Sequence, residues 1–192
     1  MASTAGIRNG DHQRTALLVV DMINPLDFEG GEALRPHAED AARAIAALAR
    51  SVRERGEPVV YVNDNFMHWQ ADFREIVATV RDGTRGSGLA RELAPVPGDY
   101  FVLKPKHSGF LATPLEILLE KLEIGRLVIT GVATDGCVLA TATDAHMREY
   151  AVQVPPDCVA AQSEARSRRA VELMRDSMGI DVRPSREAFA EG

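Results

Sequence analysis

The chain has 192 residues, of which 45% are hydrophobic and 26% are charged, and its formal net charge is −6. This length fits one domain with a core of its own, and no apolar run is long enough to span a bilayer. The acidic balance argues against a nucleic-acid partner, since the densest arginine run, EARSRRAVELMR, is interleaved with acids and apolar residues at helical spacing.

The first residues, MASTAGIRNGDHQR, lack the apolar segment that a secretory signal needs. We expect residues 1–14 to form a flexible leader and residues 15–192 to form a single domain. With no signal predicted, the expected location is the cytoplasm. Thiols stay reduced in that compartment, so we expect Cys137 and Cys158 to be free.

Apolar runs alternate with amphipathic stretches, which predicts an α/β fold with a parallel sheet between two layers of helices. Strands are predicted at residues 16–20, 58–62, 100–103, 127–130, 151–154 and 180–182. Helices are predicted over 37–55, 114–124 and 164–178, each closing on a glycine. Residues 63–98 lack a regular pattern and are expected to form loops that cover a site.

Three predicted strands end at a charged or reactive residue. Asp21 follows the first strand, Lys104 ends the third in YFVLK, and Cys137 follows the fourth in RLVITGVATDGC. Ligands bind at the carboxyl ends of strands in an open α/β sheet, so we expect the three to converge there. Each residue alone also fits a structural role: a buried cysteine, an aspartate that caps a turn, an exposed lysine.

Cys137 is predicted to lie at a helix N-terminus, where the helix dipole and free N–H groups stabilise a thiolate or an oxyanion. A thiol is mostly protonated at neutral pH, so a nucleophilic cysteine needs a base and a nearby cation. Asp21 and Lys104 fit those two roles. Cys158 follows the fifth strand in a turn and is expected to be structural.

The segments LLVVDMINPL, VLKPKHSGFLATPLEILL and LVITGVATDGCVLATATDAHMREYAVQVPPDCVAA together resemble the isochorismatase-like cysteine hydrolases. The resemblance covers residues 15–182. It implies a three-layer α/β/α fold of Rossmann type with a six-stranded parallel sheet, and a homodimer or homotetramer. It also implies a catalytic triad of Asp21, Lys104 and Cys137.

In such enzymes the cysteine attacks a carbonyl-type carbon, the amine leaves, and water hydrolyses the acyl-enzyme while the aspartate moves the protons. The resemblance places the oxyanion hole at the N–H groups of Ala133 and Cys137. It also implies a cis peptide bond between Val132 and Ala133.

Nicotinamidase-type members of that family bind zinc or iron through Asp-x-His and a further histidine. The corresponding segment here, NDNFMHWQADF, has Asp64 and His68 without that spacing and without a second histidine. A catalytic metal needs about three protein ligands. We therefore predict no metal and no cofactor, which argues against a nicotinamidase.

Substrate-binding candidates are Phe66, Trp69, Phe110 and Val132. Phe66, Trp69 and Phe73 lie at a spacing that fits a pocket wall or a core equally well. Phe110, with His107 beside it, is a pocket candidate by the resemblance.

The leading hypothesis is a metal-independent hydrolase of a C–N bond in a small molecule, such as an amide, an N-carbamoyl compound, a ureide or a lactam. The alternative is an isochorismatase-type vinyl ether hydrolase with Asp21 as general acid, although such members commonly lack the cysteine. A third hypothesis is a non-catalytic binding protein with this fold. The expected partner is a small-molecule substrate, with no nucleic acid and no membrane.

Overall fold

A computed structural model describes residues 14–66 and 72–189. It contains a six-stranded parallel sheet in the order β3-β2-β1-β4-β5, with β6 paired to β4 beyond the end of β5. The strands are β1 (Arg14–Val20), β2 (Val59–Asp64), β3 (Tyr100–Lys104), β4 (Ile124–Val132), β5 (Ala151–Gln153) and β6 (Val159–Ala160).

In the described residues, six α-helices connect or flank these strands. They are α1 (Gly31–Glu54), α2 (Phe73–Arg81), α3 (Ser87–Glu92), α4 (Leu115–Lys121), α5 (Leu139–Met147) and α6 (Glu164–Met178). A wide helical turn, Thr134–Val138, leads directly into α5.

Side chains alternate between the two faces of the sheet, as the pleat requires. Leu17 and Val19 of β1 pack in a core with residues of α1, α2 and α3. Ala16, Leu18 and Val20 pack on the opposite face with residues of α4, α5 and α6. Both faces of the central strand are therefore apolar, which confirms the three-layer α/β/α architecture with a six-stranded parallel sheet.

The sixth strand is not at residues 180–182. Asp181 forms only an isolated bridge with Gln153, whereas the two residues of β6 pair with the end of β4. A two-residue strand is too short to produce a periodic hydrophobic pattern, which explains why the sequence did not reveal it.

Two helix boundaries and one loop prediction also differ. Helix α1 begins at Gly31, and Pro36 lies inside it rather than before it. Gly125 belongs to β4, because α4 ends at Lys121. The segment at 63–98 holds α2 and α3; α2 begins with a capping box in which Asp72 and Glu75 satisfy each other's backbone N–H groups. The apolar residues Phe73, Ile76 and Val80 of α2 do recur at helical spacing, but the helix is only nine residues long.

No helix in the described residues is both long and apolar enough to cross a membrane.

Candidate active site

The carboxyl ends of four adjacent strands place polar side chains on one edge of the sheet. The register aligns Val20 of β1 with Val62 of β2 and Gly131 of β4, and it aligns Asp64 of β2 with Lys104 of β3. Asp21 comes directly after Val20. The parallel register thus brings Asp21, Lys104 and the turn that contains Cys137 together, as their positions in the sequence predict.

Lys104 ends the outermost of these four strands, and its side chain contacts the other polar groups of the edge. Its side chain is fully buried, and its Nζ lies 2.8 Å from Asp21 Oδ2 and 3.7 Å from Asp64 Oδ2. Nζ also donates to the Lys106 carbonyl oxygen at 3.0 Å and to Cys137 Sγ at 3.4 Å. A buried ammonium is tolerated only when its charge and its three N–H donors are satisfied, and these contacts satisfy them.

Asp21 has a backbone φ of 52°, which is uncommon for a residue with a side chain. Its N–H donates to the Val62 carbonyl oxygen at 3.0 Å, and its Oδ1 accepts the N–H of Asp64 at 2.7 Å. The strained turn directs the carboxylate toward Lys104 instead of continuing the strand. Backbone strain of this kind concentrates at functional sites.

Gly131 allows β4 to approach the end of β1 closely. A Cβ at this position would lie 2.0 Å from the Val20 carbonyl oxygen, and φ is +115°. Any other residue would therefore push the cysteine turn away from Asp21. The peptide bond between Val132 and Ala133 is cis.

The turn around Cys137 is wider than an ordinary α-helical turn. The Ala133 carbonyl oxygen accepts the N–H groups of Gly136 at 2.9 Å and Val138 at 3.2 Å. Helix α6 supports the turn from outside, because Ser167 hydrogen-bonds Thr134.

Burial and charge set the protonation of the three side chains. Burial, together with the Asp21 charge, raises the pKa of the Cys137 thiol to about 12, and the Lys104 charge opposes this increase. Burial also raises the pKa of Asp21, against the charge of Lys104. Burial lowers the pKa of Lys104, but the charges of Asp21, Cys137 and Asp64 outweigh it and the net direction is upward.

With its pKa raised in this way, the resting thiol is protonated at neutral pH. Nucleophilic attack by Cys137 then requires a base at the moment of reaction, and the Asp21 carboxylate is hydrogen-bonded to the thiol.

The predicted oxyanion-hole residues are Ala133, which immediately precedes the wide turn, and Cys137, which lies within it. Both are half-buried. Val132 is 1% exposed and packs in the core with α1. Phe66 is half-buried, and its N–H donates to Asp64 Oδ1 at 2.7 Å.

The structure places Phe110 inside the core beneath α5. It is 6% exposed, and its ring packs on Tyr150 and beneath the Arg148 guanidinium. His107 is exposed. Trp69 and His68 lie outside the described residues. Phe73 packs in the core against Tyr61, which answers the choice between pocket and core for that residue.

Two further polar residues of this edge have no site role in the sequence prediction. Asp64 faces the Lys104 ammonium and supports the Asp21 carboxylate through its backbone N–H. Asn63 is 1% exposed, and its amide bridges the N–H and C=O of Ile23. The sequence signal for Asn63 and Asp64 was their position at the carboxyl end of a strand. The same kind of position identified Asp21.

Among residues 14–66 and 72–189, no group of three or more His, Cys, Asp or Glu side chains is arranged to hold a metal ion. Because His68 is outside these ranges, the absence of a metal remains a prediction.

The fold and this edge define a three-layer α/β/α protein with an aspartate, a lysine and a cysteine together at its strand ends. A family model described as "Isochorismatase domain" matches residues 15–186. The chain is 39% identical to the uncharacterized isochorismatase family protein YaaI of Bacillus subtilis (strain 168), over 87% of this chain and 92% of YaaI. The chain belongs to the isochorismatase family, and it is a hydrolase.

Two further relatives carry activity names. Ureidoacrylate amidohydrolase RutB of Methylorubrum extorquens is 34% identical, covering 73% of this chain and 67% of RutB. The crystal structure of N-carbamoylsarcosine amidase from Thermoplasma acidophilum superposes with a TM-score of 0.70 at 30% identity, over 90% of this chain and 96% of that one.

Proposed function

We propose that this protein is a cysteine hydrolase that cleaves a C–N bond of a small molecule, in an amide, N-carbamoyl, ureide or lactam group. Cys137 is the nucleophile, Asp21 is the general base and Lys104 supports the ionised pair. The observation that carries the proposal is the Lys104 ammonium, buried between the Asp21 carboxylate at 2.8 Å and the Cys137 sulfur at 3.4 Å.

In the first half of the proposed reaction, Cys137 Sγ attacks the carbonyl carbon as its proton passes to Asp21. The C=O bond becomes an oxyanion, which the N–H groups of Ala133 and Cys137 stabilise. The C–N bond then breaks, and the proton on Asp21 passes to the departing nitrogen. The products of this half are an amine or ammonia and a thioester on Cys137.

In the second half, Asp21 takes a proton from water, and the resulting hydroxide attacks the thioester carbon. The C–S bond breaks, the acid is released, and the proton returns to Cys137 Sγ. Throughout both halves the positive charge of Lys104 favours the ionised forms of Asp21 and Cys137. The raised pKa of Asp21 suits this role, because a base works best when its pKa is near the working pH.

The names of two relatives support a C–N bond as the target. One is an amidohydrolase of ureidoacrylate and the other is an amidase of N-carbamoylsarcosine. Both names describe cleavage beside a carbonyl flanked by nitrogen, which is the electrophile that a thiol nucleophile requires.

A second candidate is vinyl ether hydrolysis of the isochorismatase type, with Asp21 as general acid. The raised pKa of Asp21 favours it, because more of the carboxyl is then protonated near neutral pH and available as a general acid. The position of Cys137 against the Lys104 ammonium counts against it, since protonation of a vinyl ether needs no thiol.

The remaining predictions accompany this proposal. The substrate is a small molecule, no cofactor takes part, and the protein acts in the cytoplasm as a homodimer or homotetramer.

The test is ammonia or amine release from a panel of amides, ureides and lactams, with isochorismate included. The wild type, Cys137→Ala and the matched control Cys158→Ala are compared. We expect release by the wild type and Cys158→Ala and none by Cys137→Ala. Turnover of isochorismate alone, at equal rates in all three, would assign the protein to vinyl ether hydrolysis.

A further inference from the structure

The loop that follows Lys104 is fastened to α5, the helix that follows Cys137. Ser108 Oγ donates to Asp144 Oδ2, and the Gly109 N–H donates to Thr141 Oγ1 at 3.0 Å. Both acceptors lie on α5. Two neighbouring residues of the loop are therefore tied to the helix whose leading turn carries the proposed nucleophile.

The hydrogen bond from Gly109 to Thr141 is buried, and the one from Ser108 to Asp144 is partly buried. Ser108 is 8% exposed and Thr141 is fully buried. Ser108 Oγ also accepts the N–H of Phe110 at 3.1 Å. The other oxygen of Asp144, Oδ1, lies 3.1 Å from Arg148 Nη1, and the Arg148 guanidinium lies 4.8 Å from the centroid of the Phe110 ring. Each end of the Ser108–Asp144 hydrogen bond thus has a further partner, and such a network restrains the geometry of the bond.

The same loop supplies a hydrogen-bond acceptor to the Lys104 ammonium. The Lys106 carbonyl oxygen accepts Lys104 Nζ at 3.0 Å, while Nζ donates on its other side to Cys137 Sγ. The contacts form a closed ring that runs from Cys137 through Lys104, Lys106 and Ser108 to Asp144, and back along α5 to Cys137. If one of these contacts is removed, the Lys106 carbonyl oxygen and the Lys104 ammonium can move relative to the Cys137 sulfur.

We propose that Ser108 and Asp144 are positioning residues that hold the Lys104 ammonium against Cys137 through the loop. They act through Lys104, so they are not assigned contacts with substrate. The inference rests on the proposed function, because it concerns the geometry of the same site.

In the described residues, the charged side chains that act on the thiol are Asp21 and Lys104, and Asp64 faces the Lys104 ammonium. Among them, only Lys104 favours the thiolate. Movement of the ammonium away from Sγ therefore lowers the thiolate fraction at any given pH, which slows every reaction of Cys137 as a nucleophile. This consequence can be measured without knowing the substrate.

The test is the rate of alkylation of Cys137 by iodoacetamide at a fixed, mildly alkaline pH, in a Cys158→Ala background. Ser108→Ala is expected to slow alkylation by about three- to tenfold. The matched control is Thr143→Ala, which also removes an α5 hydroxyl. That hydroxyl donates to Leu139 of its own helix at 2.8 Å, outside the ring, and the control should react at the parent rate.

A second pair of variants, both at Thr141, tests the proposal even if Ser108→Ala does not fold. Thr141→Val keeps the shape of the side chain and removes the acceptor of the Gly109 N–H, whereas Thr141→Ser keeps the hydroxyl. We expect Thr141→Val to slow alkylation and Thr141→Ser to match the parent. In addition, Ser108→Ala and Asp144→Ala combined should slow alkylation no more than the larger single effect, because they remove one shared bond.

Alkylation of Ser108→Ala and Thr141→Val at the parent rate, or faster, would overturn the positioning role. This outcome is separable from failure of the proposed function. Cys137-dependent amide turnover together with unchanged alkylation would reject only the positioning role. Slower alkylation of a protein that cleaves no amide would retain the positioning role and reject the proposed reaction.

Discussion

The two cysteines of this chain have thiols of similar acidity in different surroundings. Burial raises the pKa of both Cys137 and Cys158 to about 12. Cys158 is fully buried in a core turn beside Asp157. Cys137 is half-buried and faces a buried ammonium and a carboxylate. Thiol pKa alone therefore does not distinguish a nucleophile from a structural cysteine.

The difference lies in what can receive the proton. The Asp157 carboxylate acts on the Cys158 thiol through its charge alone, and its two oxygens accept hydrogen bonds from Ser185. The Asp21 carboxylate is hydrogen-bonded to the Cys137 thiol, and the Lys104 ammonium balances the charge of that carboxylate. Proximity of a base, a cation and an accessible sulfur makes a nucleophile.

The largest effect is expected from Asp21→Asn, which removes the proton acceptor and keeps the shape of the side chain. We expect kcat to fall by about 10³-fold or more, since general base catalysis contributes up to about 10⁴-fold. KM should change far less, because the change affects the transition state. Steady-state kinetics on the substrate found in the panel measures both.

Asp21→Asn also leaves the buried Lys104 charge less compensated, which costs stability. The matched control is Asp99→Asn, which removes a carboxylate that is 5% exposed and paired with Arg53 at 2.8 Å. This variant should lose stability and keep its kcat. Equal losses of kcat in the two variants would mean that stability, not base catalysis, explains the result.

The contrast between the two thiols predicts selective labelling. Iodoacetamide should alkylate Cys137 about 100-fold faster than Cys158 in the folded protein, because reagent access and an adjacent cation exist only at Cys137. Peptide mass mapping over time measures both rates, and labelling in denaturant should make them similar. Comparable rates in the folded state would contradict the distinction.

The raised pKa of Asp21 predicts the acid limit of activity. Asp21 must be ionised to accept the thiol proton, so kcat/KM should fall as pH decreases through the pKa of this carboxyl. Burial outweighs Lys104 and raises that pKa above the ordinary 3.8, which places the acid limb above this value. A kcat/KM profile that stays flat down to 3.8, with the fold intact by circular dichroism, would reject Asp21 as the base.

The smallest effect is expected from Cys158→Ala. Loss of one buried sulfur should destabilise the protein by about 1 kcal/mol, measured by denaturant unfolding, with kcat unchanged. A more than tenfold loss of kcat would show that Cys158 takes part in the reaction.

The sequence was most informative where chemistry and strand pattern coincide. Asp21, Lys104 and Cys137 each end or follow an apolar run, and the parallel register necessarily brings such positions to one edge. The ends of α6 were predictable for a similar local reason. Ser163 caps its first turn, and Gly179 takes the left-handed conformation after its last.

Features that depend on three-dimensional packing were not predictable. Phe110 lies in the core because its ring packs against Arg148 and Tyr150, which follow the end of α5. The raised pKa of Cys137 follows mainly from burial. These effects depend on contacts with residues that are distant in the sequence. The spacing of residues along the chain therefore does not predict them.

The central claim is that Cys137 forms a covalent intermediate with the carbonyl carbon of the substrate. The most direct measurement is acid quenching during turnover of an amide, followed by protein mass spectrometry, for the wild type and Cys137→Ala. The account predicts an acyl adduct on the wild-type peptide that contains Cys137, and neither adduct nor turnover in the variant. Turnover by Cys137→Ala at the wild-type rate, with no adduct on either protein, would contradict it.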